Sequence, residues 1–204
     1  YVDNIKLDNI NIENSNMDAI DIDMSNNVEI VNTKISQSGN DGIDLMESDV
    51  IISNVKIQNS GDKAISVGEN SFMILNNSSI SKNNIGVATK DKSISFIINS
   101  NLINNNVSLN NYKKNWQYGS GGITKVYRSK LNNKKNISID KHSAIQIFNT
   151  DLDNINFKEK KFLKKNKKNN FSLLNSNEYK KIVKKLTNKK IIIINDLNYI
   201  GSNN

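Results

Sequence analysis

One pattern occurs four times between residues 18 and 91, at intervals of 22 or 23 residues. The copies read DAIDIDMS from Asp18, DGIDLMES from Asp41, KAISVGEN from Lys63 and IGVATKDK from Ile85. A constant path length that returns the chain to an equivalent place is typical of a solenoid, in which each repeat packs against its neighbours. The repeat therefore restricts the fold to the solenoid architectures.

The residue types within each repeat decide which solenoid to expect. Helical repeats are longer and rich in Leu and Ala, whereas this unit has three short Ile/Val runs separated by Ser, Asn, Gly and Asp. In the second copy the runs are residues 42–45, 50–52 and 55–57. Three strands per turn predict an all-β fold, a right-handed parallel β-helix with rungs of about 22 residues.

Aligning the copies gives columns that we expect to face the interior, because alternate residues of a strand share a face. The inward columns are Ile20, Ile43, Ile65 and Val87; Ile22, Leu45, Val67 and Thr89; and Val28, Val50, Phe72 and Ile94. An asparagine column follows the second strand: Asn9, Asn32, Asn54, Asn76 or Asn77, and Asn99. It predicts an internal ladder of amides that satisfy neighbouring backbone, unless the abundance of Asn produces the column by chance.

Charge divides the chain into two parts. Residues 156–204 hold 13 Lys against three acidic residues, a balance of +10, so the first 155 residues carry −2 of the total of +8. We therefore predict a β-helix over residues 1–155 and a basic α/β cap or tail over residues 156–204. Residues 177–186 are predicted as a short amphipathic helix and residues 191–194 as a strand, together covering the open end of the solenoid.

Several classes of protein are excluded or disfavoured by composition. The chain has no Cys, which excludes disulfides and thiolate metal sites, and it has no apolar run long enough to span a membrane. The Lys cluster at residues 158–168 has few aromatics between its charges, which favours a solvated segment over a nucleic-acid contact. The pattern is already under way at Ile5, so further N-terminal rungs and any targeting segment are expected upstream. We expect a monomer.

Residues 110–122 interrupt the rhythm with a polar stretch that contains Trp116, the only Trp. Its length predicts a loop that leaves the wall of the solenoid, with further rungs near residues 123–126, 137–139 and 145–147. Tyr112, Trp116 and Tyr118 either form a stacking platform for sugar rings or fold inward to pack the loop. His142 is the only His, and a structural role is favoured for it.

Acidic and basic residues concentrate on the outward side of the first strand of each rung. The outward columns are Asp18, Asp41 and Lys63; Asp21, Asp44, Ser66 and Ala88; Asp23, Met46, Gly68 and Lys90; and Met24, Glu47, Glu69 and Asp91. Two carboxylates one rung apart repel by roughly 3 to 4 kcal/mol at an effective dielectric constant of about 20. The last column therefore predicts a counter-ion, either the lysines or a bound Ca²⁺, unless the acids only cap turn amides in water.

These residues resemble the polygalacturonases, glycoside hydrolase family 28 among the pectin-lyase-like right-handed β-helices. That family reads N-T-D-G-I-D, then G-D-D, G-H-G followed by S-I-G, and R-I-K. The corresponding stretches here are residues 16–21, 39–41, 63–68 and 86–90, with Asn40, Lys63 and Ala88 departing from the motif. The resemblance implies that Asp18 and Asp41 are catalytic acids and that Lys63 and Lys90 serve catalysis beside them.

The same wall is similar to polysaccharide lyases of the chondroitinase B and alginate lyase type. That resemblance implies that Glu47, Glu69 and Asp91 hold Ca²⁺, that Lys90 takes the proton from C5 of a uronate, and that Arg128 binds substrate. The run SGDKAISVGEN from Ser60 also resembles secreted β-helix domains, which implies an extracellular or cell-surface protein.

Three hypotheses from different classes follow. The first is an enzyme that acts on an acidic polysaccharide, as a lyase or a glycoside hydrolase. The second is a carbohydrate-binding or adhesive β-helix without turnover, and the third is a structural spacer. The expected substrate contacts are Asp21, Asp44, Trp116, Tyr118 and Arg128.

Overall fold

In the computed structural model, which describes residues 2–148 and 150–152, the chain coils through parallel strands. Twenty strands, β1 to β20 in chain order, lie within these residues and form three sheets. Every strand pairs in parallel with strands of the same sheet in the adjacent rungs, as in Val28 with Val50 and Ile43 with Ile65. The predicted parallel β-helix is confirmed.

Each sheet contains one strand from each rung. The first sheet consists of β3 (Ile20–Asp23), β6 (Ile43–Met46), β9 (Lys63–Gly68), β12 (Ile85–Lys90), β15 (Val107–Tyr112) and β18 (Lys135–Ile139). The second consists of β1 (Lys6–Asp8), β4 (Val28–Val31), β7 (Asp49–Ser53), β10 (Phe72–Asn76), β13 (Ile94–Ile98), β16 (Ile123–Tyr127) and β19 (Ala144–Phe148). The third consists of β2 (Asn11–Glu13), β5 (Lys34–Ser36), β8 (Lys56–Gln58), β11 (Ser79–Ser81), β14 (Asn101–Ile103), β17 (Lys130–Asn132) and β20 (Asp151–Leu152). None of the described residues belongs to a helix long and apolar enough to cross a membrane.

The core fills the space between the three sheets. Both inward columns predicted on the first sheet are buried, from Ile20 to Val87 and from Ile22 to Thr89. Alternate residues of the second sheet join them, including Ile30 and Leu75. Apolar burial at about 25 cal/mol per Å² is the main stabilising contribution, and each rung adds its own increment.

The third predicted column is wrong after Val50. Phe72 pairs with Asp49, and Met73 is the partner of Val50, so Phe72 and Ile94 stand on the outer face of the second sheet. The cause is one additional residue, Asn70, in the turn before β10. Because the side-chain period of a strand is 2, a shift of one residue exchanges the two faces.

The corners of the solenoid use left-handed backbone at residues other than glycine. Asn32, Asn54 and Asn77 have φ angles of 51°, 56° and 48°, and Glu47 and Glu69 have 48° and 54° at another corner. Asn tolerates this conformation better than most residues, because its short amide side chain bonds locally. The abundance of Asn in the sequence thus has a structural use.

The asparagine column is a ladder, but it lies outside the solenoid. Asn32, Asn54 and Asn77 are exposed. Asn77 Nδ2 donates to Asn54 Oδ1 at 2.6 Å, and Asn54 Nδ2 donates to Asn32 Oδ1 at 3.4 Å. The predicted internal position is wrong because these residues occupy the left-handed corner position, from which the side chain leaves the cylinder.

The internal ladders are built from other residues. At two corners, backbone N–H groups donate to buried hydroxyls one rung on, as Ser48 N does to Ser71 Oγ and Ser78 N does to Ser100 Oγ. At the third corner the acceptor is a buried amide: Asn83 N donates to Asn105 Oδ1. These bonds satisfy backbone that the corners would otherwise leave buried and unpaired.

Asn105→Ala is expected to lower the free energy of unfolding by about 2 to 4 kcal/mol. The change removes the acceptor for two Asn83 N–H groups and the donor to the carbonyl of Ile80, all buried. Urea unfolding followed by circular dichroism measures it. The neighbouring Asn106 is exposed, and its amide bonds only to Asn84, so Asn106→Ala should cost less than about 0.5 kcal/mol. Equal losses in both variants would contradict the internal ladder.

The loop predicted at residues 110–122 begins three residues later in the structure, at residue 113. Asn110, Asn111 and Tyr112 still pair with β12, so the loop comprises residues 113–122. Asn111 is fully buried, and its Nδ2 donates to the carbonyl of Gly122 and to Thr124 Oγ1. This amide ties the start of the loop to its end, and the rungs predicted after the loop are present as β16, β18 and β19.

The predictions for the basic C-terminal part fall outside the described residues. They concern the Lys cluster at residues 158–168, the helix at residues 177–186, the strand at residues 191–194 and the division after residue 155.

Candidate functional site

The outer side of the first sheet, with its flanking corners, carries the candidate residues and is called the first-sheet wall below. The pairing of Asp21 with Asp44 and of Asp44 with Ser66 confirms the register of the predicted column, but its later members Ser66 and Ala88 are fully buried. Asp21 is exposed, and partial desolvation together with the charges of Asp23 and Asp44 raises the pKa of its carboxyl group. The N-terminal end of the wall is therefore acidic.

Asp18 and Asp41 perform the same local task one rung apart. Asp18 Oδ1 accepts from the backbone N–H of Asp41 at 2.7 Å and from Asn40 Nδ2 at 2.8 Å. Asp41 Oδ1 in turn accepts from the backbone N–H of Lys63 at 2.9 Å. Each carboxylate thus closes the corner that leads into the first sheet. This is the turn-capping role that the sequence left open as an alternative.

Lys63 is held between two carboxylates. Its Nζ lies 2.5 Å from Asp62 Oδ2 and 3.4 Å from both oxygens of Asp41, and only 12% of its side chain is exposed. Burial alone lowers the pKa of Lys63, but the hydrogen bond to Asp62 and the charge of Asp41 outweigh it and raise that pKa. At Asp41, burial raises the pKa of the carboxyl group, and the backbone hydrogen bond and the charge of Lys63 oppose that rise without cancelling it.

Tyr112 ends β15 and stands in register with Lys90. It is half-buried, and its phenol interacts electrostatically with Lys63, Asp62 and Asp41. Burial raises the pKa of Tyr112 above 10.0, and the charge of Lys63 opposes that rise without cancelling it. The phenol therefore keeps its proton at neutral pH beside a charged ammonium.

Lys90 lies folded over Gly68 in the rung below. A Cβ at residue 68 would stand 2.4 Å from Lys90 Cε, so the path of this side chain requires glycine there. The Lys90 Nζ is 4.0 Å from Glu69 Oε2, and 7% of the Lys90 side chain is exposed. Burial raises the pKa of Glu69, while the charge of Lys90 opposes the rise. Lys90 thus occupies a counter-ion position predicted for the column of Glu47, Glu69 and Asp91. Lys63 does not, because its ammonium group pairs with Asp41 and Asp62 instead.

The acidic column at the corner after the first sheet holds the loop. Asp91 is fully buried, and its Oδ1 accepts from the backbone N–H groups of Lys114 and Asn115 at 2.7 and 2.8 Å. Tyr118 donates its phenol hydrogen to Glu47 Oε1 at 3.4 Å. No three His, Cys, Asp or Glu side chains among the described residues are grouped to hold a metal ion. Calcium binding by Glu47, Glu69 and Asp91 stays a prediction.

The structure does not bring every candidate to this wall. Arg128 follows β16 at the corner between the second and third sheets, with a φ of 43°, in the same corner position as Asn99. Trp116 is on the loop and 83% exposed, so the packed-inward alternative does not hold for its indole. His142 donates its backbone N–H to Asp140 Oδ1 at 2.9 Å, a structural contact.

Sequence reasoning missed two members of the cluster. Asp62 makes the shortest contact to Lys63, and its signal was its place directly before Lys63 in the third copy. Tyr112 was considered only as a loop aromatic, because the strand was expected to end before residue 110. Its register with Lys90 appears once β15 is extended to residue 112.

Asp41→Asn is expected to change how stability depends on pH. The pKa of Asp41 in the folded protein lies above its ordinary value of 3.8, so folding binds a proton there. The stability from this group is fully present below pH 3.8 and is lost as the pH rises through the raised pKa. Asn keeps the oxygen that accepts from Lys63 N–H and cannot titrate. Urea unfolding from about pH 3.5 to 7 should show wild type losing stability relative to the variant as the pH rises; parallel curves would contradict the raised pKa.

A family model described as a right-handed beta helix region matches residues 1–184 of the chain. Comparison with curated proteins and with solved structures gave no match.

Proposed function

The chain belongs to the right-handed β-helix family, and on that premise we propose that its first-sheet wall binds an acidic polysaccharide and cleaves it by β-elimination. One observation carries the proposal. Two mostly buried lysines, Lys63 and Lys90, lie on neighbouring rungs of this wall, each beside a carboxylate. Tyr112 stands in register with Lys90 and interacts electrostatically with Lys63.

The three groups needed for elimination have candidates here. The ammonium groups of Lys63 and Lys90 neutralise the uronate carboxylate and so make the hydrogen on C5 more acidic. Lys90 is the positively charged partner of its ion pair with Glu69 and therefore has no free lone pair to accept a proton. The base is instead the carboxylate of Glu69, whose pKa is raised by burial, and it accepts the proton from C5. The bond from C4 to the glycosidic oxygen breaks, a C4–C5 double bond forms, and Tyr112 donates its proton to the leaving oxygen.

Elimination suits this wall better than hydrolysis by Asp18 and Asp41. Asp18 accepts a backbone N–H, and Asp41 accepts a backbone N–H and the Lys63 ammonium, so both carboxylates have structural partners. A hydrolase needs one carboxylic acid free to protonate the leaving oxygen and one carboxylate free to activate water. Since such polymers occur outside cells, the proposal includes a secreted or surface location.

Binding without turnover is the second candidate. It is favoured by the exposed indole of Trp116, which lies on the loop that Asp91 and Glu47 hold, because an exposed aromatic ring stacks on sugar faces whether or not a bond is cleaved. In this case the charged cluster only shapes the wall.

The test is incubation of the purified chain with pectate, alginate and glycosaminoglycans, with and without Ca²⁺. New ultraviolet absorbance from unsaturated uronates supports elimination. New reducing ends without that absorbance would indicate hydrolysis and not elimination. Binding without either product would favour the second candidate. A rate that appears only with Ca²⁺ would support the calcium alternative, in which Glu69 is a metal ligand and not the base.

A further inference from the structure

A groove of about 330 Å³ runs along the corner between the second and third sheets, away from the first-sheet wall. Its floor and rim include the external ladder Asn32, Asn54, Asn77 and Asn99, together with Lys34 and Lys56. The same corner position recurs in every rung, so the groove presents one amide about every 4.8 Å along the solenoid axis. A ligand with a short linear repeat matches such a surface.

The ladder amides retain hydrogen-bonding capacity. Each of Asn32, Asn54 and Asn77 is exposed, and the side-chain bonds along the ladder use one amide hydrogen of each. An amide offers two donors and an acceptor with two lone pairs. The remaining donors and lone pairs suit hydroxyl groups, which also donate and accept.

Lys34 and Lys56 give the groove a positive charge. They are direct register partners on β5 and β8, and both are exposed. In contrast with Lys63 and Lys90, neither forms an ion pair within the described part of the chain. Two ammonium groups one rung apart repel each other, so an anion bound between them is favourable.

We propose that this groove is a second binding site, which holds an anionic polysaccharide lengthwise. Carboxylate or sulfate groups of the polymer contact Lys34 and Lys56, and its hydroxyls bond to the amides of the external ladder. The residues that line the groove include no aromatic side chain, which disfavours single-stranded nucleic acid, since that polymer gains much of its affinity from base stacking. The site lies beyond the proposed catalytic wall and does not require that wall to cleave.

The test compares the full chain with the double variant Lys34→Gln/Lys56→Gln. The probes are an oligogalacturonate and a heparin-derived oligosaccharide of equal length, which separate carboxylate from sulfate recognition. Calorimetry should show about tenfold weaker binding of at least one probe by the variant. The control Lys82→Gln/Lys141→Gln removes two lysines outside the groove and should bind as wild type does. The Lys-rich C-terminal residues are present in every protein, so their attraction cancels.

Asn54→Gly tests the ladder separately. Glycine tolerates the φ of 56° at this position, so the amide is removed without backbone strain. Oligosaccharide binding should weaken about threefold. The cleavage rate at saturating polymer should be unchanged in all three variants, so failure of the groove and failure of the catalytic wall are distinguishable. Equal weakening in the groove variant and its control, or no weakening in either, would overturn the proposal. Single-stranded RNA is a third probe, and a loss of RNA binding without a loss of oligosaccharide binding would overturn the proposal as well.

Discussion

Gly122→Ala is expected to destabilise the protein by about 3 kcal/mol or more. A Cβ at residue 122 would stand 2.0 Å from the carbonyl oxygen and 2.3 Å from the carbonyl carbon of Thr89. Both are backbone atoms of β12 in the rung below, so no rotamer change relieves the overlap. The chain re-enters the solenoid here, and the Gly122 carbonyl accepts from Asn111 Nδ2 and from Ala144 N. The strain therefore reaches β15 and β19 together.

The same loop contains the matched control. At Gly119 an added Cβ would have no other atom within 4 Å, so Gly119→Ala should change stability by less than about 0.5 kcal/mol. Urea unfolding of the two variants, followed by circular dichroism, measures the difference. Equal stability of both variants would contradict the close approach of Gly122 to Thr89.

Tyr112→Phe is expected to reduce the rate of cleavage by about 10² to 10⁴-fold, while binding of the polymer changes little. The substitution removes only the phenol oxygen and keeps the ring. Proton donation to the leaving oxygen belongs to the transition state, so kcat falls and KM does not. The raised pKa of Tyr112 keeps the donor protonated, which predicts that the alkaline decline of the wild-type rate begins only at strongly alkaline pH.

Tyr127→Phe is the control for this prediction. Tyr127 ends β16 in the second sheet, outside the first-sheet wall. The variant therefore tests whether the loss of a phenol oxygen elsewhere in the protein also lowers the cleavage rate. Its cleavage rate should equal that of wild type. A Tyr112→Phe variant that cleaves as fast as this control would exclude the phenol as proton donor and return the leaving-group proton to solvent.

The repeat was sufficient to predict the fold because every copy in a solenoid has the same alignment of inward and outward residues, so the register can be read from several copies. Ile20, Ile43 and Ile65 recur at 23 and 22 residues, and each copy independently places an apolar side chain inside. The second sheet was harder to align, since Asn70 lengthens one turn and Phe72 is as apolar as a core residue. Phe72 faces outward, with its ring centroid 5.7 Å from that of Phe96, and the residue type alone could not predict this orientation.

The asparagine column shows a different limit. The sequence predicts that Asn32, Asn54 and Asn77 stack, and they do. Whether a stacked amide lies inside or outside depends on backbone conformation, because a φ near 50° turns the side chain away from the cylinder. The internal positions belong instead to Ser71, Ser78 and Asn105. The sequence around these residues does not distinguish them from the external asparagines.

The candidate wall could be predicted as a surface but not as a set of contacts. Register placed Lys63, Glu69 and Lys90 on one side of the solenoid. The partners of those groups depend on side-chain paths that cross rungs, such as Lys90 over Gly68, and on a loop that returns to Asp91. Arg128 could not be placed from the sequence for the same reason, since the length of the preceding loop decides its corner.

If Lys63 and Lys90 of the first-sheet wall promote cleavage of an acidic polysaccharide, as we propose, replacing both must slow the formation of unsaturated uronate. The rate is measured for wild type and for Lys63→Met/Lys90→Met on the polymer of the panel that wild type binds most tightly, with folding checked by circular dichroism. We expect product from wild type and a rate at least about 10³-fold lower from the folded variant. Equal rates from the two proteins, or no unsaturated product from wild type on any polymer, would contradict the proposal.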